Sequence, residues 1–218
     1  MNSRHSQPFQ FKLALVGDAG VGKTAFVKRN CTGEFQDEYI PTDEHDVTWK
    51  LSFGTNRGVI DFEIWDIAGS QGSTQSLEEY LTNIDAAIIM VDASDERTYG
   101  NIEYWHSQIV SLNGDIPIVI CGNKADIEIE IKINMHVISR MDRLEYCEIS
   151  TKTPSADFDE PFLWLCRGLL NDPSLCWHTN CCTGYSDLNI DPETLAEYSR
   201  KMEQAAREPI PDETDSDL

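Results

Sequence analysis

The sequence predicts an α/β fold: a six-stranded, mostly parallel sheet with one antiparallel hairpin strand, flanked by helices. Three observations lead there. An apolar run, Phe11-Lys12-Leu13-Ala14-Leu15-Val16, passes directly into the glycine-rich stretch Gly17-Asp18-Ala19-Gly20-Val21-Gly22-Lys23-Thr24, and a helical stretch follows it. Strand and helix signals then alternate along the chain, as parallel strands joined by crossover helices require. One pair of alternating stretches, Val47 to Phe53 and Ile60 to Trp65, is separated only by a turn around Asn56-Arg57, which marks the hairpin.

Each element has its own signal. Ala25-Phe26-Val27-Lys28-Arg29 reads as a helix closed by Gly33, and Glu34 to Asp46, polar and partly acidic, reads as a long loop. The later strands are Ala86 to Val91, Ile118 to Cys121 and Glu145 to Ile149. Phe162 to Leu170 is the last core helix, stopped by Asn171-Asp172-Pro173. Asp191 and Pro192 then cap and start a separate helix, and the end carries acids and prolines without a base. The expected organisation is a disordered start at 1–8, a nucleotide-binding domain at 9–173, a linker at 174–190, a C-terminal helix at 191–207 and an acidic, disordered tail at 208–218.

The eight residues from Gly17 to Thr24 satisfy G-x-x-x-x-G-K-[ST] in the strand–loop–helix setting the motif needs. Glycines let backbone N–H groups converge on phosphate oxygens at a helix start, Lys23 adds positive charge, and the Thr24 hydroxyl is a Mg²⁺ ligand. Asp66-Ile67-Ala68-Gly69 ends a strand, placing a carboxylate to hold Mg²⁺ through water and the Gly69 N–H to meet a γ-phosphate. Asn123-Lys124-Ala125-Asp126 follows another strand. There the Asp126 carboxylate accepts from the N1–H and 2-amino groups of guanine, and an adenine in its place would leave that carboxylate unpaired. Ser150-Thr151-Lys152 after the next strand offers a backbone N–H for the guanine O6. An ordinary loop explains any one of these alone; four in this order point to a guanine-nucleotide switch using GTP, GDP and Mg²⁺.

Composition bounds the setting. Seventeen Lys and Arg stand against 38 Asp and Glu, a formal charge of −21, which argues against nucleic acid or an anionic membrane as direct partners. Seven cysteines are odd in number, and Cys31, Cys121, Cys147 and Cys166 sit in apolar runs as small buried hydrophobes do, so a reducing, intracellular setting is expected. The polar start lacks a signal-peptide core, and no apolar run is long enough to span a bilayer. Cys176, His178, Cys181 and Cys182 lie close together and are soft metal ligands, but they lack the paired spacing of structural zinc sites. The acidic tail reads either as a solubilising end or as a regulatory one.

With these motifs in place the chain resembles the small GTPases, and among them the Ran family, over nearly its whole length from Phe9 to Leu218. The resemblance rests on the motifs above together with Lys28-Arg29, Thr32-Gly33-Glu34-Phe35, Thr55-Asn56-Arg57-Gly58, Ile116-Pro117-Ile118-Val119 and Pro161-Phe162-Leu163-Trp164-Leu165. The helix after Asp191-Pro192, the acidic end and the lack of a C-terminal prenylation cysteine add to it. It implies a P-loop GTPase G domain that binds nucleotide through Asp18, Ala19, Gly20, Val21, Gly22, Lys23, Thr24, Ala25, Gly69, Asn123, Lys124, Asp126, Ser150, Thr151 and Lys152. It adds the loop residues Phe35, Gln36, Asp37, Glu38, Tyr39, Ile40, Pro41 and Thr42. Phe35 would edge the guanine ring, Lys152 would pack near the base, and Thr42 would join Thr24 and Asp66 on Mg²⁺.

The departures from the family are as specific. Ser70 stands where the family has the water-orienting glutamine, so hydrolysis is expected to be slow, with Ser70 and Lys23 as the catalytic positions. Ala19 replaces a glycine beside that water. Asp43-Glu44-His45-Asp46 replaces an apolar effector stretch, and Ile138 to Arg143 holds two bases and an acid where the family has a basic cluster. The resemblance implies a monomeric switch in nucleocytoplasmic transport, shuttling between nucleus and cytoplasm without a membrane anchor. Its expected partners are importin- and exportin-type receptors, an exchange factor and a GTPase-activating protein. The rival reading is a GTP-bound interaction scaffold that barely hydrolyses and competes for the same partners. A membrane-traffic GTPase is disfavoured by the missing lipidation cysteine.

Overall fold

In the computed structural model, residues 7–38, 47–69, 74–127 and 144–178 are described. The elements are β1 (Phe9–Val16), α1 (Lys23–Thr32), β2 (Val47–Thr55), β3 (Gly58–Asp66), α2 (Thr74–Leu81), β4 (Ala86–Asp92), α3 (Glu96–Gly100), α4 (Ile102–Asn113), β5 (Ile118–Asn123), β6 (Leu144–Glu148) and α5 (Glu160–Leu170). They form the expected six-stranded sheet, in the order β2-β3-β1-β4-β5-β6.

The two-residue turn Asn56-Arg57 lets β2 and β3 pair antiparallel from Val47↔Asp66 to Thr55↔Gly58, and every other pairing is parallel. Register follows burial. All seven residues of β4 and all six of β5 are buried, the continuous apolar pattern of strands covered on both faces. On β3, Ile60, Phe62, Ile64 and Asp66 point inward while Val59, Asp61, Glu63 and Trp65 are more exposed. A one-residue slip would therefore turn the Asp66 carboxylate away from the core.

Two cores flank the sheet. On one face Ala14, Val16, Ala87, Ile89 and Val91 meet Leu81, Ile102, Trp105 and Ile109 from the α2 and α4 side. Elsewhere Phe26 of α1 stacks on Phe162 of α5 at 5.5 Å, and Phe162 also meets Phe53 at 4.9 Å and Phe62 at 5.9 Å. α1 ends where Gly33, at φ 74°, donates its N–H to Arg29. α5 ends at Asn171, at φ 49°, as its Asn-Asp-Pro stop signal foretold.

Because the parallel strands share a direction, the carboxyl ends of β1, β3, β5 and β6 open on one edge of the sheet. β1 is the point where the chain first turns to one side and then to the other, and ligands of doubly wound sheets bind at such a point. The stretch after α5, read from sequence as the start of an irregular linker, is tied to the β2–β3 hairpin over its first residues. Trp177 bridges to Thr55 and stacks on Phe53 at 4.7 Å, His178 N–H donates to Gly54, and Arg57 pairs with Asp172 at 2.6 Å. The physical reason is the indole: stacked on Phe53 it is half-buried and loses part of its contact with water. The C-terminal helix and tail expected at 191–218 lie outside the described residues.

Candidate nucleotide-binding site

The loop after β1 owes its shape to glycine. Gly17, Gly20 and Gly22 have φ of 141°, 78° and 97°, where a side chain is strained. Space demands glycine as well: a Cβ on Gly17 would overlap the Met90 carbonyl, and one on Gly22 would overlap the Asn123 side-chain nitrogen. The loop delivers the chain to α1, whose first turn contains no acid of its own, so no side chain within that turn opposes an anion at the helix start. Lys23, 6% exposed, turns back across the loop and donates to the carbonyls of Gly17 and Asp18, both at 2.8 Å. Burial lowers its pKa to about 8, against the pull of Asp66 and Asp18 in the other direction.

Beside the loop, the Thr24 hydroxyl donates to Asp66 Oδ2 at 2.6 Å, and Asp66 is wholly buried at the end of β3. A hydroxyl and a carboxylate are hard oxygen donors of the kind Mg²⁺ takes. Gly69 lies so close to Asp18 and Ala19 that a Cβ there would overlap their backbone. Three left-handed glycines, a buried ammonium, an acid-free helix start and an oxygen pair thus fit a phosphate chain with its Mg²⁺. Lys23 and the loop N–H groups would hold the phosphates, and Thr24 with Asp66 the ion.

The other end is built around Asn123, the last residue of β5 and buried. Its Nδ2 donates to the Val21 carbonyl at 2.9 Å, while its Oδ1 accepts from Thr151 N at 3.0 Å and Thr151 Oγ1 at 2.9 Å. One amide therefore joins the phosphate loop, β5 and the loop after β6. Ser150, itself held by Thr153 N–H, donates to Asp126 Oδ1 at 2.5 Å and fixes that exposed carboxylate. Lys124, at φ 65°, donates to Asp92 Oδ2 at 2.6 Å. Burial pushes the Asp92 carboxyl up, but hydrogen bonds from Lys124 and Ser94 outweigh it and hold the carboxyl below its ordinary value. Lys152 reaches across to Asp37 at 2.7 Å, and Lys28 to Gln36 at 3.0 Å, which brings the loop after α1 to the same end.

The structure thus gathers Asp18 to Thr24, Asp66, Gly69, Asn123, Lys124, Asp126 and Ser150 to Lys152 on one edge of the sheet, with Ala25 in the first turn of α1. Phe35 is half-buried and Gln36, Asp37 and Glu38 are exposed on their loop. Tyr39, Ile40, Pro41, Thr42 and Ser70 lie outside the described residues. Sequence reasoning missed the partners Asp92, Asn101 and Trp105, which no local motif marks. The Asp18 side chain binds the last two, Asn101 Nδ2 at 2.7 Å and Trp105 Nε1 at 3.1 Å.

Cys31, Cys121, Cys147 and Cys166 are buried free thiols, and burial pushes Cys31 and Cys166 up to about 12, as inert core cysteines. Cys176 is exposed, and Cys181 and Cys182 lie outside the described residues. Among the described residues no cluster of three metal-ligating side chains occurs, and no helix is long and apolar enough to cross a membrane. The sequence model of the Ras family matches residues 12–171, more than half of the chain.

Proposed function

Because the chain belongs to the Ras family of small GTPases, we propose that its GTP-binding switch is of the Ran type, acts in nucleocytoplasmic transport and turns over slowly. The observation that carries the nucleotide reading is the Asn123 amide, which locks the phosphate loop to the base loops through Val21 and Thr151. Such a joint sets the distance between the base and phosphate ends of one ligand. Asp126, fixed by Ser150, accepts from the guanine edge, and Lys23 with the N–H groups at the start of α1 holds the phosphates. Mg²⁺, when bound, neutralises charge on the β- and γ-phosphate oxygens. The Gly69 N–H meets the terminal phosphate.

Hydrolysis needs a side chain that orients water, and the family glutamine is Ser70 here, too short for the task. The sequence motifs shared with the Ran family support the Ran-type reading. Its partners would be importin- and exportin-type receptors with an exchange factor and a GTPase-activating protein, met in nucleus and cytoplasm. Asp43 to Asp46 and the reduced basic cluster at Ile138 to Arg143 weaken those contacts. Ser70 with Ala19 favours a second reading, a GTP-bound scaffold that occupies transport receptors without cycling.

Receptor capture tests the role. The full chain loaded with a non-hydrolysable GTP analogue should bind an importin-type receptor more tightly than the GDP-loaded chain. Equal or absent binding in both states contradicts a transport switch.

A further inference from the structure

Asp18 puts a carboxylate inside a loop shaped for phosphate, where a free negative charge would oppose the ligand. The structure turns it away. Oδ2 accepts from Asn101 Nδ2 at 2.7 Å and Oδ1 from Trp105 Nε1 at 3.1 Å, so both oxygens are held by the start of α4. Trp105 is 4% exposed and its indole is packed in the core beneath α4, so its N–H has a fixed place. The main chain of the same residue faces the site: the Asp18 carbonyl accepts Lys23 Nζ at 2.8 Å, and Gly69 packs on its carbonyl group.

From Asn101 the connections continue toward the base end. Asn101 N–H donates to the Thr98 carbonyl, Thr98 Oγ1 and Asp92 N–H are 3.0 Å apart, and Asp92 holds Lys124. A hydrogen-bonded path through α3 therefore runs from the phosphate loop to the base loop, parallel to the direct link made by Asn123.

We infer that Asp18 and Trp105 form a clamp that pins the phosphate loop to α4 and slows nucleotide release, with Asp18 as a positioning residue acting through the loop backbone and Lys23. The inference rests on the nucleotide reading above. Charge-assisted hydrogen bonds are about twice as strong as neutral ones, and an indole N–H stripped of its acceptor stays buried and unsatisfied. Breaking the clamp from either side should therefore loosen the same loop.

The test is release of GDP carrying a fluorescent N-methylanthraniloyl group on its ribose, from the full chain with Mg²⁺, chased with excess GDP. Trp105→Phe, which keeps an aromatic ring of similar shape, should speed release about tenfold, equivalent to about 1.4 kcal/mol. Asp18→Ala, which also releases Asn101, should speed release at least as much, and the double variant should be no faster than Asp18→Ala alone. Asp18→Asn, which keeps one acceptor oxygen, should fall between wild type and Asp18→Ala and serves where the alanine variant fails to fold. A purely structural role would lower the melting temperature without moving the release rate, and that result overturns the clamp. Independent, multiplying effects of the two substitutions overturn it too. Failure of the wild-type chain to retain the labelled GDP removes the nucleotide reading itself, and the clamp with it; tight wild-type binding with unchanged variants removes the clamp alone.

Discussion

In the proposed function Asp126 and Ser70 stand for opposite halves of the chemistry, recognition and turnover. Ser150 fixes the Asp126 carboxylate at 2.5 Å, and on the proposed reading selectivity would depend on that one acceptor group meeting two guanine donors. Asp126→Asn should shift preference from guanine toward xanthine nucleotides, read by competition binding. No shift would detach Asp126 from base recognition. For turnover, loss of one preorganised polar group costs about 10² to 10³ in rate. Ser70→Gln should recover rate within that range in single-turnover hydrolysis, and more with Ala19→Gly; a wild type as fast as the double variant would contradict the role of Ser70. Asp92 adds a pH dependence. Its carboxyl is held below the ordinary value by Lys124 and Ser94 against the effect of burial, so its stabilisation is full above about pH 4 and fades as pH falls through the lowered value. Asp92→Asn should flatten the acid limb of a stability–pH curve, and an unchanged limb would remove the Lys124 pair from the stability of the base loop.

Among the elements, legibility differed with the origin of the constraint. The phosphate loop could be read because its glycines are required by local backbone angles and close approaches, which leave a fixed spacing in the sequence. β4 and β5 could be read because both their faces are buried. Asn101 and Trp105 could not be linked to Asp18, since they lie more than eighty residues away and meet it only through packing of α4 on the sheet. Asn123 was legible as a base-site residue, but its double role as the joint to Val21 was not, because that role is tertiary. The hold of Trp177 on Phe53 was hidden for the same reason: in the chain it follows a helix stop and stands among polar and cysteine residues. Trp177→Ala should leave nucleotide binding intact and destabilise the fold, by less than the ~3 kcal/mol of a core aromatic because the indole is half-buried. Denaturant unfolding with a second probe for bound nucleotide checks both statements.

For the whole molecule, a charge of −21 bears on solubility and association more than on fold. A ligand that binds only the folded state stabilises it by about 2.7 kcal/mol at a hundred times its dissociation constant. For a chain of this size that amounts to a rise in melting temperature of roughly 5 to 10 °C. The proposed guanine reading centres on the Asn123 joint between phosphate and base loops, with Asp126 as the reader. The most direct measurement of it is the ratio of GTP to ATP affinity of the full chain with Mg²⁺, by competition against fluorescent GDP. A guanine preference well above a hundredfold is predicted, because adenine leaves the Asp126 carboxylate without its donors; affinities within about tenfold of each other would contradict it.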